Sequence, residues 1–121
     1  MEPLETVTRF CAAWEDVDLD RIVGFFAEDA VYHNIPIAPV TGRTAIREAI
    51  AGFTGGVERI QFEVLHAAAN GNVVLTERVD RFFLPDRTIE LPVMGTFEIA
   101  GGLITAWRDY FDMAQFTNQL G

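Results

Sequence analysis

The stretch that decides the fold is Leu103-Ile104-Thr105-Ala106-Trp107-Arg108-Asp109-Tyr110-Phe111-Asp112. Side chains alternate between the two faces of a strand, so positions 103, 105, 107, 109 and 111 are predicted to share one face. That face carries one charged side chain, Asp109. An unpaired carboxylate buried between Trp107 and Phe111 would destabilise the fold strongly or would have to hold a proton. Asp109 is therefore predicted to have a partner.

The candidate partner lies upstream, in Thr76-Glu77-Arg78-Val79-Asp80. Arg78 and Asp80 are two residues apart and so share a strand face. If that face meets the face of Asp109, one guanidinium lies between two carboxylates. Two adjacent carboxylates do not both ionise easily, so one should hold a proton near neutral pH. The pattern predicts a general acid beside a general base, although Arg78 with Asp80 alone could also be an exposed ion pair.

A short strand near residue 32 supplies two further polar groups. Tyr32 and Asn34 are predicted to share one of its faces, where a hydroxyl and an amide could hold a water molecule. A base, an oriented water and an acid in an apolar pocket suit the opening of a strained neutral electrophile such as an epoxide. Asp109 would take a proton from the attacking water, and Asp80 would give one to the ring oxygen.

The rest of the chain changes from helical to strand periodicity near residue 59. We predict helices over 4–14 and 44–53 with a short one between them, strands over 30–35, 59–68, 72–84, 88–100 and 103–112, and a short last helix from 113. Thr44 is the expected cap of the 44–53 helix, and Asp18 or Asp20 that of the short one. Tight turns at residues 70–71, 85–87 and 101–102 make the long strands a meander. The expected fold is α+β, with three N-terminal helices packed on a curved mixed, mostly antiparallel sheet, forming a cone that encloses a pocket.

The strand that carries Arg78 has two covered faces. Val74, Thr76, Arg78, Asp80 and Phe82 share one face, in which apolar residues surround the polar ones. We therefore assign this face to the interior of the cone. The opposite face also carries apolar side chains, and we expect it to meet a second copy of the chain.

Composition excludes several classes of function. A chain of 121 residues fits one domain over 1–121, and its net charge of −9 disfavours nucleic-acid binding. All nine cationic side chains are Arg, so a Schiff-base lysine and a P-loop lysine are excluded. Cys11 is the one cysteine, which excludes a disulfide framework within the chain. No signal peptide or membrane-spanning run is recognisable, so we expect a cytoplasmic protein without membrane contact.

The remaining polar and aromatic residues have structural interpretations. Asp112 is expected to cap the last helix and not to act as a catalyst. We expect His33 to be structural, and His66 to be a hydrogen-bonded packing residue that could border the cavity. Neither histidine has the spacing of metal ligands with the carboxylates, so no metal and no cofactor are predicted. Trp14 and Trp107 are expected in the core or an interface.

Three separated motifs resemble the limonene-1,2-epoxide hydrolase family, a member of the nuclear-transport-factor-2-like superfamily. They are Tyr32-His33-Asn34 with Pro36, Thr76 to Asp80, and Trp107 to Asp112, and the resemblance covers nearly the whole chain. It implies a curved-sheet cone, a homodimer, and one-step attack of water on a small hydrophobic epoxide without a covalent intermediate. It implies that Asp109 is the base, Asp80 the acid and Arg78 their bridge, with Tyr32 and Asn34 holding the water. The pocket lining implied by the same alignment is Phe53, Phe62, Phe82, Leu91, Val93 and Phe111.

Other functions occur on the same fold, which alone decides nothing. An isomerase or polyketide cyclase would use one carboxylate as a base at carbon and a separate acid at an enolate oxygen. Here both carboxylates are expected to bind one Arg, which favours water activation. A non-catalytic binder of a small apolar ligand would gain little from a buried Asp-Arg-Asp set, whose desolvation is costly. An epoxide hydrolase of the α/β-hydrolase type is excluded by length and by the missing nucleophile elbow.

Overall fold

Six strands form one curved sheet, and four helices accompany it, in a computed structural model that describes residues 2–120. In chain order the elements are α1 (Pro3–Ala13), α2 (Leu19–Val23), β1 (Phe26–Asn34), β2 (Val40–Thr41), α3 (Arg43–Thr54), β3 (Arg59–Asn70), β4 (Val73–Phe83), β5 (Thr88–Ala100), β6 (Leu103–Tyr110) and α4 (Met113–Leu120). Met1 and Gly121, the ends of the predicted domain, lie outside the described residues. None of the helices within residues 2–120 has the length and apolar character that crossing a membrane requires.

The sheet has the strand order β2-β1-β6-β5-β4-β3. Strands β3 to β6 form an antiparallel meander, whereas β1 runs parallel to β6. The predicted mixed, mostly antiparallel sheet is therefore confirmed. The prediction of three N-terminal helices is slightly wrong, because only α1 and α2 precede the first strand and α3 follows β2. The two-residue β2, which pairs with β1, lies between the predicted strand over 30–35 and the predicted helix over 44–53, where no strand was expected.

Aromatic side chains form the centre of the core between α1 and the sheet. Phe10 on α1 meets the Trp107 ring edge-on with centroids 5.0 Å apart, and Trp107 stacks on Phe97 of β5 at 5.4 Å. These three side chains and Trp14 are fully buried. The helical spacing predicted for α1 thus positions its apolar face on the sheet, as amphipathic helices require.

Two β-bulges change which side chains point inward. In β6, Thr105 is the extra residue opposite Glu98, so Ile104 and not Leu103 or Thr105 is buried beside Trp107. The prediction that 103 and 105 share the face of Asp109 is therefore wrong, since a bulge breaks the period of two.

The second bulge lies in β3 at Leu65 and has the same effect on His66. His66 was expected to share a face with Phe62 and Val64. Its ring is instead exposed and bonds Glu77 of β4 at 2.8 Å, so it neither packs in the core nor borders the pocket.

Two of the three helix caps predicted from the sequence are confirmed. Asp18 accepts a hydrogen bond from the Arg21 N–H at the start of α2, and Asp112 accepts one from the Ala114 N–H at the start of α4. The cap expected from Thr44 is wrong, because α3 begins one residue earlier behind Gly42, whose φ is 92°. That conformation is accessible to glycine at little cost.

Candidate active site

The strand register brings the polar residues from three distant segments together. On β1, Asn34 is paired with Asp109 of the parallel β6, and Asp109 is paired in turn with Gly95 of β5. Gly95 is paired with Thr76 of β4, from which Arg78 and Asp80 follow on the same face. The predicted assignment of this β4 face to the interior is confirmed, since Thr76, Arg78 and Asp80 are all buried.

Arg78 lies between the two carboxylates and donates all five of its N–H groups. Its Nε and Nη2 bond the Asp80 oxygens at 3.0 and 2.9 Å. Its Nη1 and Nη2 bond the Asp109 oxygens at 3.2 and 2.8 Å. The remaining Nη1 hydrogen bonds Thr76 Oγ1 at 3.1 Å. The guanidinium is therefore fixed in one orientation by three side chains.

Burial makes this cluster electrostatically unusual. Burial, with a smaller contribution from the Asp109 charge, raises the pKa of Asp80 to about 6 against the lowering effect of Arg78. For Arg78, burial alone would lower the pKa, but the two carboxylates raise it well above its ordinary value. The arginine therefore stays charged, and Asp80 holds a proton more readily than an exposed carboxyl does.

Trp107 supplies a further hydrogen bond to Asp109. Its indole Nε1 donates to Asp109 Oδ1 at 2.7 Å, and both side chains are buried. Each Asp109 oxygen thus accepts a bond from Arg78, and Oδ1 accepts a second from the indole. This set of donors holds the carboxyl group of Asp109 in one orientation.

Tyr32 and Asn34 lie on the same side of β1, as predicted, with the Asn34 Nδ2 donating to the Tyr32 hydroxyl oxygen at 3.0 Å. The Tyr32 ring stacks on Trp107 with centroids 4.5 Å apart. Burial, and next the Asp109 charge, raise the pKa of Tyr32 above its ordinary value, so the hydroxyl keeps its proton. A hydroxyl donor and an amide acceptor therefore face the pocket next to Asp109. His33 lies apart from them, with its Nε2 3.0 Å from the Ile37 carbonyl oxygen.

A cavity of about 80 Å³ opens over these groups. Its lining is Tyr32, Asn34, Phe53, Phe62, Asp80, Phe82, Leu91, Val93, Asp109, Phe111, Met113 and Phe116. All six residues expected to line a pocket are among them. Four of the five expected catalytic residues border it too, and Arg78 lies behind the two carboxylates, with its guanidinium carbon 4.9 Å from the centre of the Phe62 ring.

Sequence reasoning missed five residues of this site. The period of two placed Thr76 on the face of Arg78 and Trp107 on that of Asp109, but the hydrogen bonds that they make to these groups were not predicted. Gly95 interrupts the apolar inward residues of β5, and a glycine inside a strand often marks a close approach. Met113 and Phe116 of α4 reach the pocket wall, which their helical spacing alone does not reveal.

Within residues 2–120, no three or more His, Cys, Asp or Glu side chains are grouped so that they could hold a metal ion. The two buried carboxylates face an arginine instead.

Comparison with known proteins shows the family of the chain. Residues 1–120 match the model of the limonene-1,2-epoxide hydrolase catalytic domain. The chain belongs to the limonene-1,2-epoxide hydrolase family. Among curated relatives, epoxide hydrolase EphG of Mycobacterium tuberculosis (strain ATCC 25618 / H37Rv) is 34% identical over 109 residues, which cover 88% of this chain and 71% of that protein.

Solved structures place this family member within a wider fold group. An M. tuberculosis limonene-epoxide-hydrolase-like epoxide hydrolase superposes with a TM-score of 0.84 at 29% identity, covering 98% of this chain and 88% of the other. A putative polyketide cyclase from Xanthomonas campestris pv. campestris has a TM-score of 0.87 at 21% identity, covering 98% and 96%. The second likeness concerns the fold alone.

Proposed function

We propose that this family member is an epoxide hydrolase that adds water to a hydrophobic, cyclic or terpenoid epoxide in one step, giving a vicinal diol. The observation that carries the proposal is the buried Arg78 held between Asp80 and Asp109 at the wall of an apolar cavity. One guanidinium bound to two carboxylates keeps a proton donor and a proton acceptor in fixed positions. Membership of the family supports the same chemistry.

The nucleophilic water would be held by three groups. Asp109 accepts one of its hydrogens, the Asn34 amide oxygen accepts the other, and the Tyr32 hydroxyl donates to one lone pair. The second lone pair is then free to attack an epoxide carbon. As the new C–O bond forms, Asp109 takes the proton of the water, so general-base catalysis needs no covalent bond to the protein.

The epoxide oxygen would receive its proton from Asp80. The carbon–oxygen bond of the ring breaks while the O–H bond of the product forms, and Asp80 becomes a carboxylate that Arg78 stabilises. The products are a vicinal diol, a neutral Asp109 and an ionised Asp80. A proton moving from Asp109 to Asp80, directly or through entering water, restores the starting state. The raised pKa of Asp80 supports the acid role, because an ordinary carboxyl would rarely hold a proton near neutral pH.

The walls of the cavity support an apolar substrate. Beyond the four polar groups, the lining consists of aromatic and aliphatic side chains. A second cavity of about 130 Å³, lined by apolar residues and Gly55, shares Phe53, Phe82 and Phe116 with the first. A rearrangement of these three rings would join the two spaces, which suits a ring or a branched hydrocarbon better than a polar group.

The deciding experiment is single-turnover hydrolysis of a cyclic alkene epoxide, with enzyme in excess, in water labelled with heavy oxygen. We expect the label in the diol and none in the protein. Label in an Asp side chain would mean a covalent ester intermediate and would contradict direct attack by water. If no epoxide in a panel gives a diol, the isomerase or cyclase alternative, which the shared fold allows, takes precedence.

We further propose that the protein is a homodimer. The sheet face opposite the pocket carries Leu65, Leu75, Met94 and Tyr110, each 46–51% exposed. Met94 is paired in register with Tyr110, and Leu75 lies on the same face of the adjacent β4, so these apolar side chains form one area. Contiguous apolar surface of this kind typically marks an interface. A second copy of the chain would cover it.

A further inference from the structure

We propose that Gly95 is a positioning residue for the proposed hydrolysis, because the acid–base cluster occupies the space where a side chain at this position would lie. Gly95 is on the inward face of β5, between Thr76 of β4 and Asp109 of β6. The expected effect of Gly95 on kinetics rests on the proposed function, whereas its effect on the structure does not. The structural effect concerns the contact between Arg78 and Asp109.

The distances around Gly95 leave no room for a methyl group. A Cβ built on its backbone would lie 2.5 Å from Arg78 Nη1, 2.6 Å from Asp109 Oδ1 and 3.0 Å from Thr76 Oγ1. These three atoms are joined to one another by hydrogen bonds through Nη1. The bonded group therefore lies directly against the Cα of Gly95.

The backbone does not itself require glycine at position 95. Gly95 is not among the glycines of the described chain that have a positive φ, and it continues the regular pairing of β5 with both neighbours. The inward residues on either side are Val93 and Phe97, both buried and both favourable in strands. Glycine in a strand interior is unfavourable, so we infer that space, and not backbone conformation, explains its presence here.

The atoms next to Gly95 have little freedom to move away. The Arg78 guanidinium is bonded to Asp80 on its other side, and Asp109 Oδ1 also accepts the Trp107 indole N–H. Both groups are buried. A methyl group at position 95 would therefore separate Arg78 from Asp109 or move the Asp109 carboxylate from the position in which it meets the water.

The kinetic test is Gly95→Ala, measured with the epoxide that gives diol with the unaltered protein. We expect kcat to fall about 100-fold, since small displacements of reacting groups cost that much, while KM changes little because the apolar walls are untouched. The pH dependence of kcat should also shift, because the contact that sets the charge balance of the two carboxylates is altered. An unchanged kcat would overturn the proposal.

Gly52→Ala is the matched control. Gly52 lies in α3, and a Cβ there would meet no atom within 4 Å. We expect unchanged kcat and equal or slightly higher melting temperature, because alanine favours helix more than glycine does. Loss of kcat in this variant as well would mean that the Gly95→Ala effect is not specific to the site.

A stability cycle tests the contact without any activity measurement. Gly95→Ala is introduced into the unaltered protein and into the Asp109→Ala variant, and the melting temperatures of the four proteins are compared. We expect a smaller loss in the Asp109→Ala background, because one of the two closest atoms is gone and Arg78 can move. Equal losses of melting temperature in the two backgrounds would overturn the proposal. Failure of Gly95→Ala to fold in both backgrounds would also overturn it. This result stands whether or not the protein hydrolyses epoxides.

Discussion

At the residue scale, the site depends on the five donated hydrogens of Arg78. Both carboxylates and Thr76 accept them, so each buried charge has a partner of opposite sign. Removing one partner of a buried ion pair usually costs about 3–5 kcal/mol of stability, because the other charge remains buried. For measurements of activity, substitutions that keep the shape of a side chain are therefore the informative ones.

Asp109→Asn should reduce turnover by about 1000-fold or more and leave the fold intact. The amide oxygen can accept from the Trp107 indole and Arg78 Nη1, and only the bond from Arg78 Nη2 is lost, but the amide cannot take a proton from water. The rate of diol formation measures the loss of turnover, and circular dichroism checks that the fold is intact. Asp112→Asn is the control, because this nearby carboxylate caps α4 and an amide oxygen can accept the same Ala114 N–H. Near-normal hydrolysis by Asp109→Asn would refute its role as the base.

The pKa of Asp80 determines the expected pH dependence. A general acid must hold its proton, and burial raises the pKa of Asp80 to about 6. The protonated fraction therefore falls as pH rises through that value, and kcat/KM should fall with it by about tenfold per pH unit. The measurement is a pH profile corrected for uncatalysed ring opening. A level profile above pH 6 would mean that another group protonates the epoxide oxygen.

At the scale of elements, α4 is a wall of the pocket, and polar contacts near its end help to attach it to the rest of the molecule. None of its residues within the described chain is fully buried, yet Met113 and Phe116 line the cavity. The Gln119 side chain accepts from the Glu90 backbone N–H at 2.9 Å and donates to its carbonyl at 2.7 Å, at a part of β5 that extends beyond β6. Arg87 bonds the Leu120 carbonyl at 2.6 Å.

Gln119→Ala should therefore loosen this wall without touching the reacting groups. We expect KM to rise several-fold with little change in kcat, and the melting temperature to fall slightly, since a hydrogen bond contributes about 1 kcal/mol. Gln115→Ala, a change to an exposed residue of α4, is the control, whereas Gln119 is half-buried. Equal KM values for the two variants would show that α4 does not depend on the Gln119 contacts.

The strands also explain which features of the fold and of the site could be predicted from the sequence and which could not. A period of two identifies the strand faces of β4, and paired charges on them indicate where a site lies. The bulges at Leu65 and Thr105 could not be predicted, because a bulge is defined by the partner strand, and each reversed the side on which a residue lies. Gly95 was missed for a related reason: a glycine inside a strand can indicate a close approach, but the groups that approach it belong to the neighbouring strands.

At the scale of the whole molecule, the exposed apolar side of the sheet should set the oligomeric state. Met94→Glu would place a charge in the centre of the proposed dimer interface, and burying it there would be costly. We expect a dimer for the unaltered protein and a monomer for the variant, measured by light scattering coupled to size-exclusion chromatography. Leu4→Glu, on helix α1, is the control. A monomeric unaltered protein would refute the homodimer.

The parallel pairing of β1 with β6 has a consequence for the order of folding. Asn34 and Asp109 are neighbours in the sheet, although most of the chain separates them in sequence. Contacts between remote segments form slowly, whereas the β3–β6 meander can grow from local hairpins. During synthesis, Arg78 and Asp80 enter the chain before Asp109, the partner that β6 supplies. The candidate active site of the nascent protein is complete only when β6, the last strand, has been synthesised and has paired with β1, the first.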